Sequence, residues 1–474
     1  MTYSISMESL LANLKPPFPN AFEMYQSEIR NVETKWIVLD DDPTGTQTVN
    51  NVSVYTHWDE ESIRAGFNET KPLFFILTNS RGMTESETIK THKEIAERVV
   101  KVAQETGKEF HIISRSDSTL RGHYPTETET LKEVLEKRLN YHFDGEVICP
   151  FFPQGGRYTY NNIHYVCVNN VLVPVGETEF AKEKTFGYKS SDLGEWIEEK
   201  TKGKYLAADQ CYIDINDLRN GDIEKLTEQL NSCENFQKVI VNAISYEDLY
   251  VFAKALLMAE KNGKHFLYRT AASFPEVMGN IKKKTLLCGS DLIDVSNKNG
   301  GLIVVGSYVK KTTEQLMKLL EVEDIVDIPF KSSLVIEPKE FEQEVKRVQD
   351  KANALIHEGK NVVIYTERKV LTPNSSNPED ALLLSLKIAD AVTSFVRNLQ
   401  SKPKFIIAKG GITSSDVAVN GLGINKATVL GQILKGIPVW LTGNESKYPH
   451  TPYIIFPGNV GDQNALKEVV QKLI

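Results

Sequence analysis

The sequence has little of what marks several protein classes. Its 474 residues include only five cysteines, Cys149, Cys167, Cys211, Cys233 and Cys288. None forms a CxxC pair, and the odd number gives no disulfide framework. A reducing cytoplasm is the expected compartment. No His/Cys spacing suits zinc, and no metal ligands are assigned. No apolar run is long enough to span a bilayer. The opening MTYSISMESLLANLKPPFPN lacks the apolar stretch of a secretory signal, so none is expected. Lysine and arginine (55) are outnumbered by aspartate and glutamate (63), the net charge is −8, and no basic stripe offsets it. Nucleic acid is thereby excluded as the main partner, and no membrane association is expected. Neither GxxxxGK[ST] nor GxGxxG occurs.

What is present is concentrated at one turn. The apolar run Trp36–Leu39 leads into Asp40, Asp41 and Asp42, then into Pro43, Thr44 and Gly45, which force a turn. Three adjacent acids at the end of a buried strand repel one another unless a cation, a basic side chain or a substrate hydroxyl shares the site. Ligands of open α/β sheets bind at the carboxyl ends of strands. An acidic solvated turn is the plain alternative.

The same grammar recurs along the chain. Leu73–Thr78 reads as a strand ending in Asn79, Ser80, Arg81 and Gly82, followed by a helix over Thr84–Thr106. Glu109–Ser114 reads as a strand running into RSDSTLRGH, with Arg115, Ser116, Asp117, Ser118, Thr119 and Arg121. Glu127–Leu139 reads as a helix and Glu146–Cys149 as a strand. The loop PFFPQGGRYTYNN then faces ligand by its glycine pair and Arg157, and Tyr160–Val175 alternates as a small hairpin, read as a flap. Strands alternating with helices imply parallel βαβ units. Three charged strand ends on one rim suit a small polyhydroxy acid, because Arg forks a carboxylate and Asp accepts hydroxyl protons.

The second half carries three strand–glycine–helix junctions: Gly306-Ser307, Lys409-Gly410-Gly411-Ile412-Thr413 and Pro457-Gly458-Asn459-Val460-Gly461. Backbone N–H groups at helix starts, approached closely at glycine, make phosphate sites. The expected fold class is α/β, with two α/β domains of mainly parallel sheets facing each other across a cleft. Residues 1–35 are expected as an N-terminal helical arm, 36–298 as a substrate-binding domain and 299–474 as a nucleotide-binding domain. Phosphoryl transfer from a nucleotide, with Mg²⁺, is suggested, with the Asp40–Asp42 cluster or Asp117 as base; Asp42, at the turn, is favoured.

These motifs resemble the four-carbon acid sugar kinase family. LDDDPTG (Leu39–Gly45) resembles its DDxTG, TNSRG its Ser-Arg element, and SDSTLRG (Ser116–Gly122) its most specific signature. FFPQGGRYT, GSYVKKTTEQ (Gly306–Gln315), GGIT and PGNVG resemble further stretches, with Tyr308 and Val309 departing from the GSCS pattern and Asp40 and Pro43 from DDxTG. The resemblance implies that Asp41, Asp42, Arg81, Ser116, Asp117, Ser118, Thr119, Leu120 and Arg121 hold an acid sugar such as a tetronate or 3-oxo-tetronate. It implies that Ser307, Gly410, Gly411, Ile412, Thr413, Gly458 and Asn459 hold ATP, and that Asp42, Asp117 and Arg121 serve catalysis. A homodimer is compatible with this. Two rivals are a haloacid dehalogenase-like phosphatase using the DxDxT of Asp40 and Asp42, and a non-catalytic sensor of sugar acid or nucleotide.

Overall fold

Apolar β-rich runs bounded by turn residues become buried parallel strands when helices cover both faces. The computed structural model describes residues 4–30, 34–307, 309–368, 378–458 and 460–474. The chain forms two compact units, one of residues 1–45 and 57–282 and one of residues 46–56 and 283–474.

In the first unit seven parallel strands lie in the order Cys211–Ile213, Gln237–Val241, Gly145–Cys149, Phe266–Thr270, Phe110–Arg115, Lys35–Asp40 and Leu73–Leu77. Their ends are level: Asp40 pairs in register with Leu77 and Arg115, and Thr270 with Arg115 and Cys149. The helix Glu85–Thr106 starts at Thr84, whose hydroxyl accepts from Glu87 N while Glu87 Oε2 accepts from Thr84 N at 2.8 Å. Such a capping box is worth about 1 kcal/mol. Gly107, at φ +67°, ends the helix in the left-handed conformation that glycine adopts without strain.

The expected hairpin is larger than its sequence signal. Arg157–Tyr160, Ile163–Val168 and Val171–Pro174 form an antiparallel sheet whose fourth strand is Ile5–Ser6 of the N-terminal arm. It is anchored rather than free: His164 N donates to Ser191 O at 2.8 Å, and Val166 and Leu172 are buried. Elsewhere in the arm Met7–Asn13 and Ala21–Ile29 are helical, with Tyr25 buried and its hydroxyl donating to Val277 O.

The second unit has five parallel strands in the order Ile325–Phe330, Asn361–Thr366, Leu302–Val305, Ile406–Lys409 and Pro452–Phe456. An antiparallel edge follows, of Ile437–Thr442, Lys426–Leu434 and Val52–Tyr55. That last pairing places residues 46–56 in this unit, an excursion of the chain that its composition does not announce. Among the described residues no helix is long and apolar enough to cross a membrane.

One ion pair sits inside the first unit's sheet. Lys238 and Glu146 are register partners, both with fully buried side chains, and meet at 2.7 Å. The ammonium also lies 3.5 Å from the centre of the Phe236 ring and 3.9 Å from that of Tyr205. Breaking such a pair leaves one buried charge unmatched, whereas replacing both partners does not. Glu146→Gln should therefore lower the unfolding free energy by about 3–5 kcal/mol, and Glu146→Leu with Lys238→Met by clearly less. Urea denaturation midpoints distinguish the two; equal losses would mean that packing, not charge, governs the position.

Candidate active site

Register partners on parallel strands project to the same face, so the pairing of Asp40 with Arg115 brings acid and guanidinium together. Arg115 Nη1 donates to Asp40 Oδ1 at 3.0 Å and to Asp41 Oδ1 at 3.3 Å. From the loop after Leu73–Leu77, Arg81 forks onto Asp41, with Nε to Oδ2 at 3.0 Å and Nη2 to Oδ1 at 2.8 Å. Its Nη1 reaches Asp42 Oδ2 at 3.3 Å.

Three carboxylates thus share two guanidiniums, and the surplus falls on Asp40. Its side chain is fully buried, and its Oδ2 has no hydrogen-bond partner. Burial pushes its pKa up to about 8, against the pull of Arg115 and with the push of Asp41 and Asp42. Asp41 is also raised, by burial acting against Arg81 and Arg115. Asp42 goes the other way: burial would raise it, but Arg81, Arg115 and the Thr44 hydrogen bonds outweigh that, and its carboxyl sits below the usual range. Thr44 N donates to Asp42 Oδ1 at 2.7 Å. Of the three side chains Asp42 is the most open, 14% exposed against 2% for Asp41.

The turn over Pro43–Thr46 presses on Asp40. A Cβ on Gly45 would lie 2.0 Å from Asp40 Oδ1, so only glycine fits there. Enclosed in this way, Asp40 has no open approach for the attack on phosphorus that the dehalogenase-like alternative requires.

The second cluster lies in the loop after Phe110–Arg115. Arg121 Nε donates to Asp117 Oδ2 at 2.7 Å, and the Thr119 hydroxyl donates to the same oxygen. Burial opposes ionisation of Asp117, but Arg121 and Arg81 hold its carboxyl well below the usual range. The loop backbone is held from behind. His164 Nε2 pairs with Ser118 O at 2.8 Å, Tyr188 Oη donates to Thr119 O at 2.6 Å, and Arg269 Nη2 donates to Arg121 O at 3.3 Å. Burial lowers the His164 pKa to about 4, so the ring is neutral at pH 7. Its Nε2–H donates to Ser118 and its Nδ1 accepts from the Thr159 hydroxyl at 3.0 Å.

The expected substrate residues divide accordingly. Asp41, Asp42 and Arg81 form one group and Asp117, Thr119 and Arg121 another. Ser116 turns to Glu127, which accepts from it at 3.2 Å, from Ser114 at 3.3 Å and from Ser80 at 2.6 Å. Glu127 thereby ties two strand tips together. Leu120 is fully buried at φ +66°, in a cluster with Tyr124, Tyr188 and Trp196, and Ser118 is also buried. The sequence places Arg115 on the charged rim without pairing it to an acid, and assigns nothing to Glu127, His164 or Arg269. Arg115 was the findable one, since it stands at the end of its strand as Asp40 does.

In the second unit the three glycine junctions are level, because Lys409 is the register partner of both Val305 and Phe456. A Cβ on Gly306 would lie 2.5 Å from Thr413 Oγ1, and one on Gly410 3.3 Å from Ser307 Cβ. Ser307, Gly410 and Thr413 therefore crowd one spot, Gly410 at φ +117°. A Cβ at Gly458 would meet nothing within 4 Å, and Ile412 is exposed. Asn459, like Tyr308, lies outside the described residues. Gln315 Nε2 donates to Val460 O at 3.1 Å and Asp462 O at 2.8 Å, fixing the third junction. Lys409 is buried, with Nζ donating to Pro457 O at 2.6 Å and lying 4.2 Å from the centre of the Phe456 ring. Burial, with Lys311 nearby, lowers its pKa to about 7. Arg368 caps the carbonyls of Thr366 and Ser307. Neither cation was singled out from the sequence.

The family model of sugar-binding N-terminal domains matches residues 36–278, and that of nucleotide-binding C-terminal domains matches residues 302–466. Among curated proteins none matches the chain. Among the solved structures that share the fold are two. One is a Haemophilus influenzae protein of the domain-of-unknown-function family DUF1537, at 18% identity and a TM-score of 0.58, over 92% of this chain and 100% of that one. The other is a Salmonella typhimurium protein provisionally named a tRNA synthase, at 16% identity and a TM-score of 0.63, over 92% and 98%.

The raised pKa of Asp40 has a consequence for stability. An unfolded aspartate titrates near 3.9. Between that pH and about 8 the folded chain holds a proton that the unfolded chain has lost, so this group's contribution falls as pH rises through the window. Asp40→Asn removes the titration. Its melting temperature should rise relative to the native chain from pH 5 to pH 8 and then level off. A difference that stays constant with pH would show that Asp40 is ionised throughout.

Proposed function

The chain belongs to the four-carbon acid sugar kinase family, and on that premise we propose that it phosphorylates a hydroxyl of a small acid sugar, a tetronate or 3-oxo-tetronate, at the expense of ATP. The observation that carries the reading is Asp42. It is the one acid of the tip with appreciable exposure, and Arg81 and Thr44 hold it ionised and aimed. Phosphoryl transfer needs positioning and charge stabilisation more than covalent chemistry. Asp42 orients the accepting hydroxyl and takes its proton. Asp117, locked by Arg121 and Thr119, is the weaker base and orients substrate instead.

Ser307, Gly410–Thr413, Gly458 and Asn459 are proposed to hold ATP. The fit is supported by Gly306 and Gly410, where a side chain would crowd Ser307 and Thr413, and by the hydroxyl-bearing side chains of those two residues beside them. Bound there, ATP would supply the phosphoryl group, and Mg²⁺ would neutralise its charge. Five free cysteines suit a cytoplasmic enzyme of carbohydrate catabolism.

Asp42→Asn should lower turnover by about 10²–10⁴-fold while ATP affinity stays unchanged. The check is coupled ADP release across four- and five-carbon acid sugars, with calorimetric titration of ATP. Unchanged turnover would remove Asp42 as base. An absence of ADP release by the native chain with every acid would refute the kinase reading.

A further inference from the structure

Resting on that reading, the position of the substrate's carboxylate can be worked out from which guanidiniums are already occupied. Arg81 is not free: Nε, Nη1 and Nη2 all donate to Asp41 or Asp42. Arg115 is enclosed and shared between Asp40 and Asp41. A substrate carboxylate at either would have to displace an internal one. Arg121 gives only its Nε edge to Asp117; its Nη1 has Glu183, itself well exposed, no nearer than 3.9 Å. The fork of Arg121 is therefore largely unspent.

Arg157 stands beside it. It opens the strand Arg157–Tyr160, directly after Gly155 and Gly156, and is partly exposed. Among the described residues it forms no ion pair. Its Nη1 donates to Gly155 O, and its buried Nε has no hydrogen-bond partner. Both guanidiniums lie over one ring, Phe180, at 5.1 Å for Arg121 and 5.5 Å for Arg157. Phe180 is packed against the cluster that contains Leu120 and Tyr188, so it is fixed relative to the Asp117–Arg121 loop. Burial and the charge of Arg121 work against the Arg157 cation, and Asp117 works for it. Two like charges held on one ring, with unspent donors and too little counter-charge, favour an anion bound to both.

We propose that Arg157, with the Nη edge of Arg121 and the face of Phe180, receives the carboxylate of the acid sugar. The hydroxyl end then faces Asp42, and selection for an acid over an uncharged polyol resides at Arg157. Arg157 is a binding residue with no part in the proton transfer.

The test is steady-state kinetics of the full-length chain with a tetronate that the native enzyme turns over, comparing native, Arg157→Gln and Arg157→Lys. A charged hydrogen bond is worth roughly 10- to 100-fold in affinity. Arg157→Gln should raise KM for the tetronate by about that factor, with kcat and KM for ATP within a few-fold of native, and Arg157→Lys should fall between the two. Calorimetric titration of the tetronate without nucleotide should show the same order. Circular dichroism establishes that each variant is folded, and the lysine variant stands alone if the glutamine variant is not. A tetronate KM and affinity unchanged in the variants, or a loss confined to kcat or to ATP, overturns this subsite and leaves the kinase reading intact. A native chain that turns over no acid sugar defeats that reading, and this subsite with it.

Discussion

The structure of the sugar-binding unit depends on one electrostatic constraint: three adjacent carboxylates must end a buried strand beside only two guanidiniums. The strand order supplies the solution. Lys35–Asp40 lies between Phe110–Arg115 and Leu73–Leu77, so Arg115 arrives from one neighbour and Arg81 from the loop of the other. The two cations bond to Asp41 and Asp42, and Asp40, pushed by burial up to about 8, is the protonated member, at the position that Gly45 seals. Each guanidinium alone beside buried acids would be poorly compensated; as a set they are matched, and the loops bearing them become rigid with respect to one another. Glu127 adds a second tie, bridging Ser80, Ser114 and Ser116 below the charged layer.

The nucleotide-binding unit solves a different problem with different groups. Its level strand ends carry glycines and hydroxyls, and the cations near them, Lys409 and Arg368, are directed at backbone carbonyls rather than acids. Lys409 spans from the second junction to the third through Pro457 O, and Gln315 holds the third through Val460 O and Asp462 O. A polyphosphate brings its own dense negative charge. The ATP site proposed there, built from N–H groups, hydroxyls and cations without carboxylate partners, would meet that charge without first giving up an internal ion pair. For the acid sugar proposed at the sugar-binding unit, weakly charged and rich in hydroxyls, alternating acids and guanidiniums are the better match.

Much of this could be read from the sequence, for physical reasons. Buried parallel strands appear as apolar runs, and Leu73–Leu77, Phe110–Arg115 and Asn361–Thr366 stand out as such. Charged turns after them, as in Leu39–Gly45 and Ser116–Gly122, mark the strand ends where the clusters form. What could not be read depends on contacts between distant segments. Cys211–Ile213 is too short to show a period, and Val52–Tyr55 gives no sign that its partner is Lys426–Leu434. His164 is one polar residue of the alternating run Tyr160–Val175, yet it holds the Ser118 carbonyl; Arg269 lies in the short strand Phe266–Thr270 with no motif around it, yet it reaches the carbonyl of Arg121. The division of the expected site residues into those whose side chains line the charged layer and those, such as Leu120, that turn into the core follows from the positive φ of Leu120, which no local signal announced.

The backing of the Asp117–Arg121 loop bears on how catalysis can work. Three carbonyls of the loop, those of Ser118, Thr119 and Arg121, are each taken by a side chain from a different element. Because burial keeps the His164 ring neutral at physiological pH, its donor to Ser118 and acceptor from Thr159 are fixed in one tautomer. Such a loop cannot relax around a bound ligand without breaking several buried hydrogen bonds at once, each costly to leave unmade. Its side chains are therefore already placed before substrate arrives. For the phosphoryl transfer proposed above, preorganisation of this kind would lower the reorganisation required, because the charges placed around the accepting hydroxyl would be held by the fold itself.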